Sequence, residues 1–323
     1  MVNELSSRFA EKINDFLDYR VARGFKRETY LRHFIKFDRW CIEKHPDKTQ
    51  LERTLVHEWI DDAEASVHEI SHRAAAIRQF GRYLAAIGEN AYILPDKYAP
   101  IKSRSVPYLF TDSELTALFA AIDRLPQTEC EPFLNEMVPT LFRLIYTCGL
   151  RPNEGRELPV KNINLDTGEI LIQHTKRNKE RFVVMSDDML ELARKYNERR
   201  KIFSNGSGYF FPSADGGAMK SDTVYSAFNR AWSDAGLQGN YPRKVRVYDL
   251  RHRFASACIN QWLDNGENLM AMLPFLREYM GHKKLSETAY YIHILPENMR
   301  KSSAIDWDKF NAMFPEVENA EIE

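Results

Sequence analysis

The sequence predicts a mainly α chain of the α+β class, folded as two units with one small antiparallel sheet in the second. Three observations predict it. At 323 residues the chain exceeds what one small core accommodates. Apolar residues recur at helical spacing through most of 3–88. Strand-like alternation is confined to one block, VKNINLDTGEILIQHTKRNKERFVVMS, residues 160–186.

The elements follow in chain order. SSRFAEKINDFLDYRVARG places Phe9, Ile13, Phe16, Leu17 and Val21 on one helical stripe, and Gly24 stops it. ETYLRHFIKFDRWCIEKHP repeats the pattern with Tyr30, Phe34, Phe37, Trp40 and Cys41, ending at Pro46. A third helix starts near Thr54 and runs through Val56, Trp59 and Ile60; a fourth, ISHRAAAIRQFGRYLAAIG, stops at Gly88. Aromatics at this spacing are read as core rather than as base-stacking platforms. The first unit is therefore assigned residues 1–92.

Residues 93–110 contain Pro95, Pro100 and Pro107 among Lys97, Lys102 and Arg104, which predicts a basic, extended linker. Thr111-Asp-Ser-Glu114 spells a capping box, so the second unit, 111–300, opens there with helices to about residue 148. Pro152 suits the first turn of the next helix. The alternating block then predicts three short strands, turning at Asp166-Thr-Gly168 and across 176–180. Helices resume at Asp187, at Ser221, at Tyr248 or Asp249, near Leu269 and around Ser286. A tail, 301–323, carries Ile305, Trp307, Phe310 and Met313 at near-helical spacing.

Composition narrows the function. Hydrophobic residues are 44% and charged residues 28%, a folded rather than disordered balance. No apolar run reaches the roughly 20 residues that cross a bilayer, and no leader follows Met1, so a cytoplasmic protein without a membrane partner is expected. Cys41, Cys130, Cys148 and Cys258 are scattered; they predict small apolar helix residues, not a zinc ribbon or disulfide framework. No metal or other cofactor is expected. Net charge is −1, but it is unevenly spread. The tail sets six carboxylates against Lys301 and Lys309, while 243–253 holds five basic residues against Asp249 and TKRNKER (175–181) holds four against Glu180.

Four sites carry residues suited to phosphate chemistry. They are Arg151 and Glu154 in TCGLRPNEGREL, Lys176 in TKRNKER, Tyr248 and Arg251 in YDLRHRFAS, and His282 with Tyr291 in YMGHKKLSETAYYIH. Each alone has a plain reading as a solvated arginine or lysine, a capping histidine or a core tyrosine. Those readings do not explain their joint occurrence, in order, around one small sheet.

The set resembles the catalytic signature of the tyrosine recombinase (phage integrase) family, across essentially the whole chain. TCGLRPNEGREL is similar to the family's first arginine box, with Gly155-Arg156 interposed before Leu158. TKRNKER resembles its lysine hairpin, YDLRHRFAS its second arginine box, and MGHKKLSETAYYIH its histidine–tyrosine box. The resemblance implies an N-terminal helical core-binding (SAM-like) domain, a basic linker and a mixed catalytic domain. It implies Tyr291 as nucleophile in preference to Tyr290, Arg151 and Arg251 as the phosphate clamp, Lys176 as general acid and His282 as a phosphate ligand. Tyr248 stands where the family usually has histidine, and is expected to substitute as a hydrogen-bonding group.

Glu154 is expected to orient a basic side chain or close its helix, and His252 to be a buried structural histidine. Lys244, Arg253, Arg177 and Lys102 are candidate DNA-backbone contacts. The implied partners are double-stranded DNA and further copies of the chain, two on each site and four in a synapse. The implied reaction is site-specific cutting and rejoining through a 3′-phosphotyrosine, in mobile-element integration or excision, or in resolution. Two other readings stay open: a DNA-binding accessory protein impaired in catalysis, and strand relaxation of the type IB topoisomerase kind.

Overall fold

The computed structural model describes residues 5–61, 67–98, 107–127, 133–173, 180–239 and 244–293. The chain forms two compact units, Met1–Ser105 and Val106–Glu323.

In the first unit, α1 (Ala10–Ala22), α2 (Glu28–Lys44), α3 (Arg53–Asp61) and α4 (Val67–Ala86) enclose an aromatic core. Phe16 meets Phe34 edge-on at 5.6 Å, and Phe37 meets Trp59 at 5.0 Å. Tilted pairs at such distances add to burial rather than present a flat stacking surface. Helix α2 ends two residues before Pro46, since the residue preceding proline is driven out of helical backbone. One expected core residue is not in the core. Val21 is exposed, because the next place on the α1 stripe is taken by Arg20, whose guanidinium lies 3.6 Å from the centre of the Phe25 ring. After α4, Arg78 donates to the carbonyls of Leu94 (2.9 Å) and Pro95 (2.7 Å), pinning a 3-10 turn at Asp96–Tyr98.

The second unit begins with α5 (Asp112–Ile122). Its capping box has the Glu114 N–H donating to Thr111 Oγ1 at 3.2 Å and the Thr111 N–H to Glu114 Oε2 at 2.8 Å. Next come α6 (Leu134–Thr147) and the short α7 (Pro152–Arg156), with Pro152 in its first turn. Cys148 is buried but follows α6 rather than lying in it, and Cys130 falls outside the described residues.

The sheet has two strands, β1 (Glu169–Ile172) and β2 (Arg181–Val184), paired antiparallel with Leu171 opposite Phe182. The expected first strand is instead a 3-10 turn, Val160–Asn162, with a single bridge from Ile163 to Ile170. Two side chains explain the difference. Asn162 Nδ2 donates to the Leu171 carbonyl (2.9 Å), replacing a ladder bond, and Asn164 Oδ1 accepts from the N–H groups of Asp166 and Thr167, starting the turn too early for a strand.

Helices α8 (Asp187–Phe203), α9 (Ser221–Asp234), α10 (Tyr248–Asp264), α11 (Leu269–Met280) and α12 (Leu285–His293) complete the unit. A large core centred on Val138, Leu141, Phe142 and Ile145 is joined by a smaller one of Ile259, Leu273, Met280 and Tyr291. No helix among the described residues is long and apolar enough to cross a membrane.

Candidate active site

The C-terminal end of α11 organises the site. The last carbonyls of a helix lack partners within it and carry the negative end of its dipole, so cations gather there. Three guanidinium groups do so in sequence. Arg181 Nε donates to the Tyr279 carbonyl (2.8 Å), Arg251 Nη2 to that of Met280 (2.5 Å) and Arg151 Nη2 to that of Gly281 (2.8 Å). Gly281 closes the helix at φ +64°, which returns the His282 N–H to the Arg277 carbonyl at 2.9 Å.

One carboxylate binds this group of cations together. Glu154, third residue of α7, accepts from the Arg151 N–H (2.9 Å), Arg151 Nη1 (2.6 Å), and Arg181 Nη1 and Nη2 (3.0 and 2.6 Å). Arg251 Nη1 lies 4.0 Å from it and donates to the Gly149 carbonyl at 2.6 Å. Burial pushes the Glu154 carboxyl up, but the arginines overcome this and hold it at about 2. Glu154, expected to orient a basic side chain or to close its helix, accepts from both arginine side chains and from the Arg151 N–H at the start of α7.

Helix α10, helix α12 and the turn between α11 and α12 supply the tyrosines and the imidazoles. Arg251 is fully buried, and burial pulls its guanidinium down to about 10, so it stays charged at neutral pH. Burial lowers the Arg151 guanidinium, while Glu154 and the facing Tyr248 hydroxyl raise it to a net upward shift. His282 Nδ1 lies 2.8 Å from Thr288 Oγ1. Its imidazole is depressed to about 3, first by burial and then by Arg251 and Arg151, and is therefore neutral at pH 7. Tyr291 is 2% exposed; its ring stacks on His282 with centroids 6.2 Å apart, and burial raises its hydroxyl above the usual tyrosine range despite Arg251.

Arg151, Tyr248, Arg251, His282 and Tyr291 thus come together, from four segments. Lys176, Arg177 and Lys102 lie outside the described residues, as does the tail. Lys244 is exposed, whereas Arg253 is already engaged by Asp112 at 2.6 Å.

Two residues of the site were not anticipated. His252 is half-buried and its Nδ1 lies 2.8 Å from the Tyr291 hydroxyl, which corrects its reading as a buried structural histidine. It stands one turn after Tyr248, and the two rings meet edge-on at 4.9 Å. Arg181, in β2, had been counted only as local basic charge. Strand alternation was the available signal, since it puts Arg181 on the same face as the buried Val183.

Three guanidiniums sharing one carboxylate leave surplus positive charge in a largely desolvated place, beside a phenol. Such a site suits a tetrahedral anion held for nucleophilic attack. Residues 109–298 match the phage integrase family, and the chain belongs to that family. It is 28% identical over 289 residues to y4rE of Sinorhizobium fredii, a protein of integrase/recombinase name, covering 87% of this chain and 90% of that one. It is 29% identical to the tyrosine recombinase XerD of Rhizobium meliloti over 71% of each chain. Its fold is similar to that of the XerH site-specific recombinase bound to a palindromic difH substrate in a post-cleavage complex, with TM-score 0.65, 20% identity, and coverage of 87% of this chain and 80% of that one.

Proposed function

We propose that this chain is a site-specific DNA recombinase that cuts and rejoins DNA through a 3′-phosphotyrosine on Tyr291. The observation that carries the reading is the meeting of Arg151 and Arg251 at adjacent carbonyls of α11, with Tyr291 one helix away. A covalent phosphotyrosine conserves the phosphodiester bond energy that hydrolysis would lose. Charge accumulates on the nonbridging oxygens during attack, and two planar guanidiniums match their geometry. Arg151, the more exposed of the pair, meets the phosphate first, and Arg251 exchanges a carbonyl contact for it. His282 donates a hydrogen bond to the same phosphate, and Tyr248 fills a hydrogen-bonding position beside Arg151. Lys176 protonates the departing 5′ oxygen. No metal or other cofactor takes part.

The first unit acts as the core-binding domain, and the basic stretch 93–110 links it to the catalytic unit so that the two clamp the duplex, mostly through phosphates. Lys244, Arg253, Arg177 and Lys102 are backbone contacts. Two copies bind each site and four form the synapse, with the tail from 301 docking on a neighbouring copy. The setting is integration or excision of a mobile element, or resolution. These readings are supported by the family, by the DNA-bound recombinase of similar fold and by the four sequence boxes.

A nicked suicide duplex built from inverted repeats flanking the gene tests the reaction. The wild type should form a covalent adduct in the presence of EDTA, and Tyr291→Phe should form none. Retained DNA binding without any adduct would overturn the enzymatic reading in favour of an accessory DNA-binding role. An adduct that survives Tyr291→Phe would overturn the assignment of the nucleophile.

A further inference from the structure

We propose that His252 is the general base of the reaction, its Nδ1 taking the proton from the Tyr291 hydroxyl as that oxygen attacks the scissile phosphorus. The inference rests on the proposed strand-cutting function and adds a residue to it.

The phenol needs a proton acceptor. The Tyr291 hydroxyl is protonated at neutral pH like any tyrosine, burial makes its proton harder still to lose, and a phenol is a weak nucleophile until that proton leaves. The side chains around it offer few choices. Arg151 and Arg251 are cations with no lone pair to give. Tyr248 is itself a phenol. The His282 ring lies parallel to the Tyr291 ring and commits Nδ1 to Thr288, and its depressed basicity makes it a poor acceptor near pH 7. Among the described residues, His252 has its imidazole within hydrogen-bond distance of the reacting oxygen, at 2.8 Å, inside the range a general base requires.

Helix geometry explains why His252 can serve here. It follows Arg251 directly, so α10 carries a phosphate-binding guanidinium and a proton acceptor on neighbouring positions. Tyr248, one turn earlier on the same face, packs edge-on against the imidazole and restrains its ring. Among the groups facing His252 are Tyr248 on its own helix, Tyr291 on α12 and His282 between α11 and α12. Arg251 is its chain neighbour.

The step balances. The bond from Tyr291 Oη to phosphorus forms and the bond from phosphorus to the 5′ oxygen breaks. The phenol proton passes to His252 Nδ1, and the 5′ oxygen takes one from Lys176. Rejoining reverses each transfer, so both residues return to their starting states.

The test reads cleavage rate on the suicide duplex from pH 6 to pH 10 for the wild type, His252→Ala and His252→Asn, with Tyr291→Phe as the control that establishes the parent reaction. Asparagine keeps a hydrogen-bonding atom near the Nδ1 position but cannot carry a proton away. Both variants should lose about 10²-fold or more near pH 7, the scale of general-base catalysis. Both should regain rate as the pH rises and the small ionised fraction of the phenol grows, so the deficit narrows toward pH 10. Each profile is read by its own shape, so a partial loss of stability does not obscure it. Full activity of His252→Asn at pH 7 would make the residue a positioning group and overturn the proposal. A deficit equal at every pH would reduce it to a structural contact and do the same. Faster cleavage by His252→Ala would show instead a latch that restrains Tyr291. If the wild type forms no adduct while binding DNA, the parent reading fails and this inference falls with it.

Discussion

Replacing Glu154 by glutamine, which keeps volume and removes charge, should destabilise the second unit more than most single substitutions. Four hydrogen bonds converge on this carboxylate from Arg151 and Arg181, and both Glu154 and Arg181 are nearly removed from solvent, at 11% and 8% side-chain exposure. A carboxyl held at about 2, against 4.5 in a model compound, corresponds to ~3 kcal/mol of folding stability at neutral pH. Breaking one partner of a buried ion pair typically costs about 3–5 kcal/mol, which agrees. For a unit of this size each kcal/mol moves the melting temperature by about 2–4 °C, so Glu154→Gln should melt roughly 6–20 °C lower.

The pH dependence gives the same claim a second test. Because the folded-state pKa is depressed, the stabilisation is fully present above about 4.5 and is lost as the pH falls toward 2. Circular-dichroism melts should therefore show the wild type losing its advantage over Glu154→Gln between about pH 5 and pH 2.5. If the two proteins melt within about 2 °C of each other at pH 7, or differ by a constant amount down to pH 2.5, the arginine cluster is not held by this carboxylate.

Other expectations follow from the same geometry. Arg151→Lys and Arg251→Lys should each slow adduct formation by about 10²–10³-fold, since an ammonium cannot make two parallel bonds to phosphate; rates near wild type would reject the clamp. Gly149→Ala should cost about 2 kcal/mol or more, because Gly149 sits at φ +60° and an added Cβ would collide with the Phe254 ring; an unchanged melt would refute this. Lys244→Ala should reduce the slope of log affinity against log salt by about 0.9, as expected for one lost phosphate contact, and Arg253→Ala by less, because Asp112 already engages it; filter binding over a salt series decides between them.

The helices were legible because their apolar stripes are long and their ends are marked by Gly24, Gly88, Thr111 and Pro152, each with a local physical reason. The sheet was over-read, because alternation in 160–165 cannot reveal that Asn162 and Asn164 would spend their side chains on backbone groups. The site divides in the same way. Arg151, Arg251, His282 and Tyr291 could be found because their neighbours in sequence form boxes. The reason they converge could not, because it belongs to a different element.

That element is the end of α11, where successive carbonyls each hold one arginine delivered from β2, α10 and the start of α7. Nothing local to LMAMLPFLREYMG signals this role beyond its closing glycine. His252 escaped for a related reason: a histidine beside a buried arginine reads as packing until α12 folds over it and brings the Tyr291 hydroxyl to 2.8 Å. The same α12 segment packs Tyr291 into the small core with Ile259, Leu273 and Met280. Its place on α12 therefore couples the proposed nucleophile to that core, and a shift of the helix would move the hydroxyl relative to both His252 and the arginines.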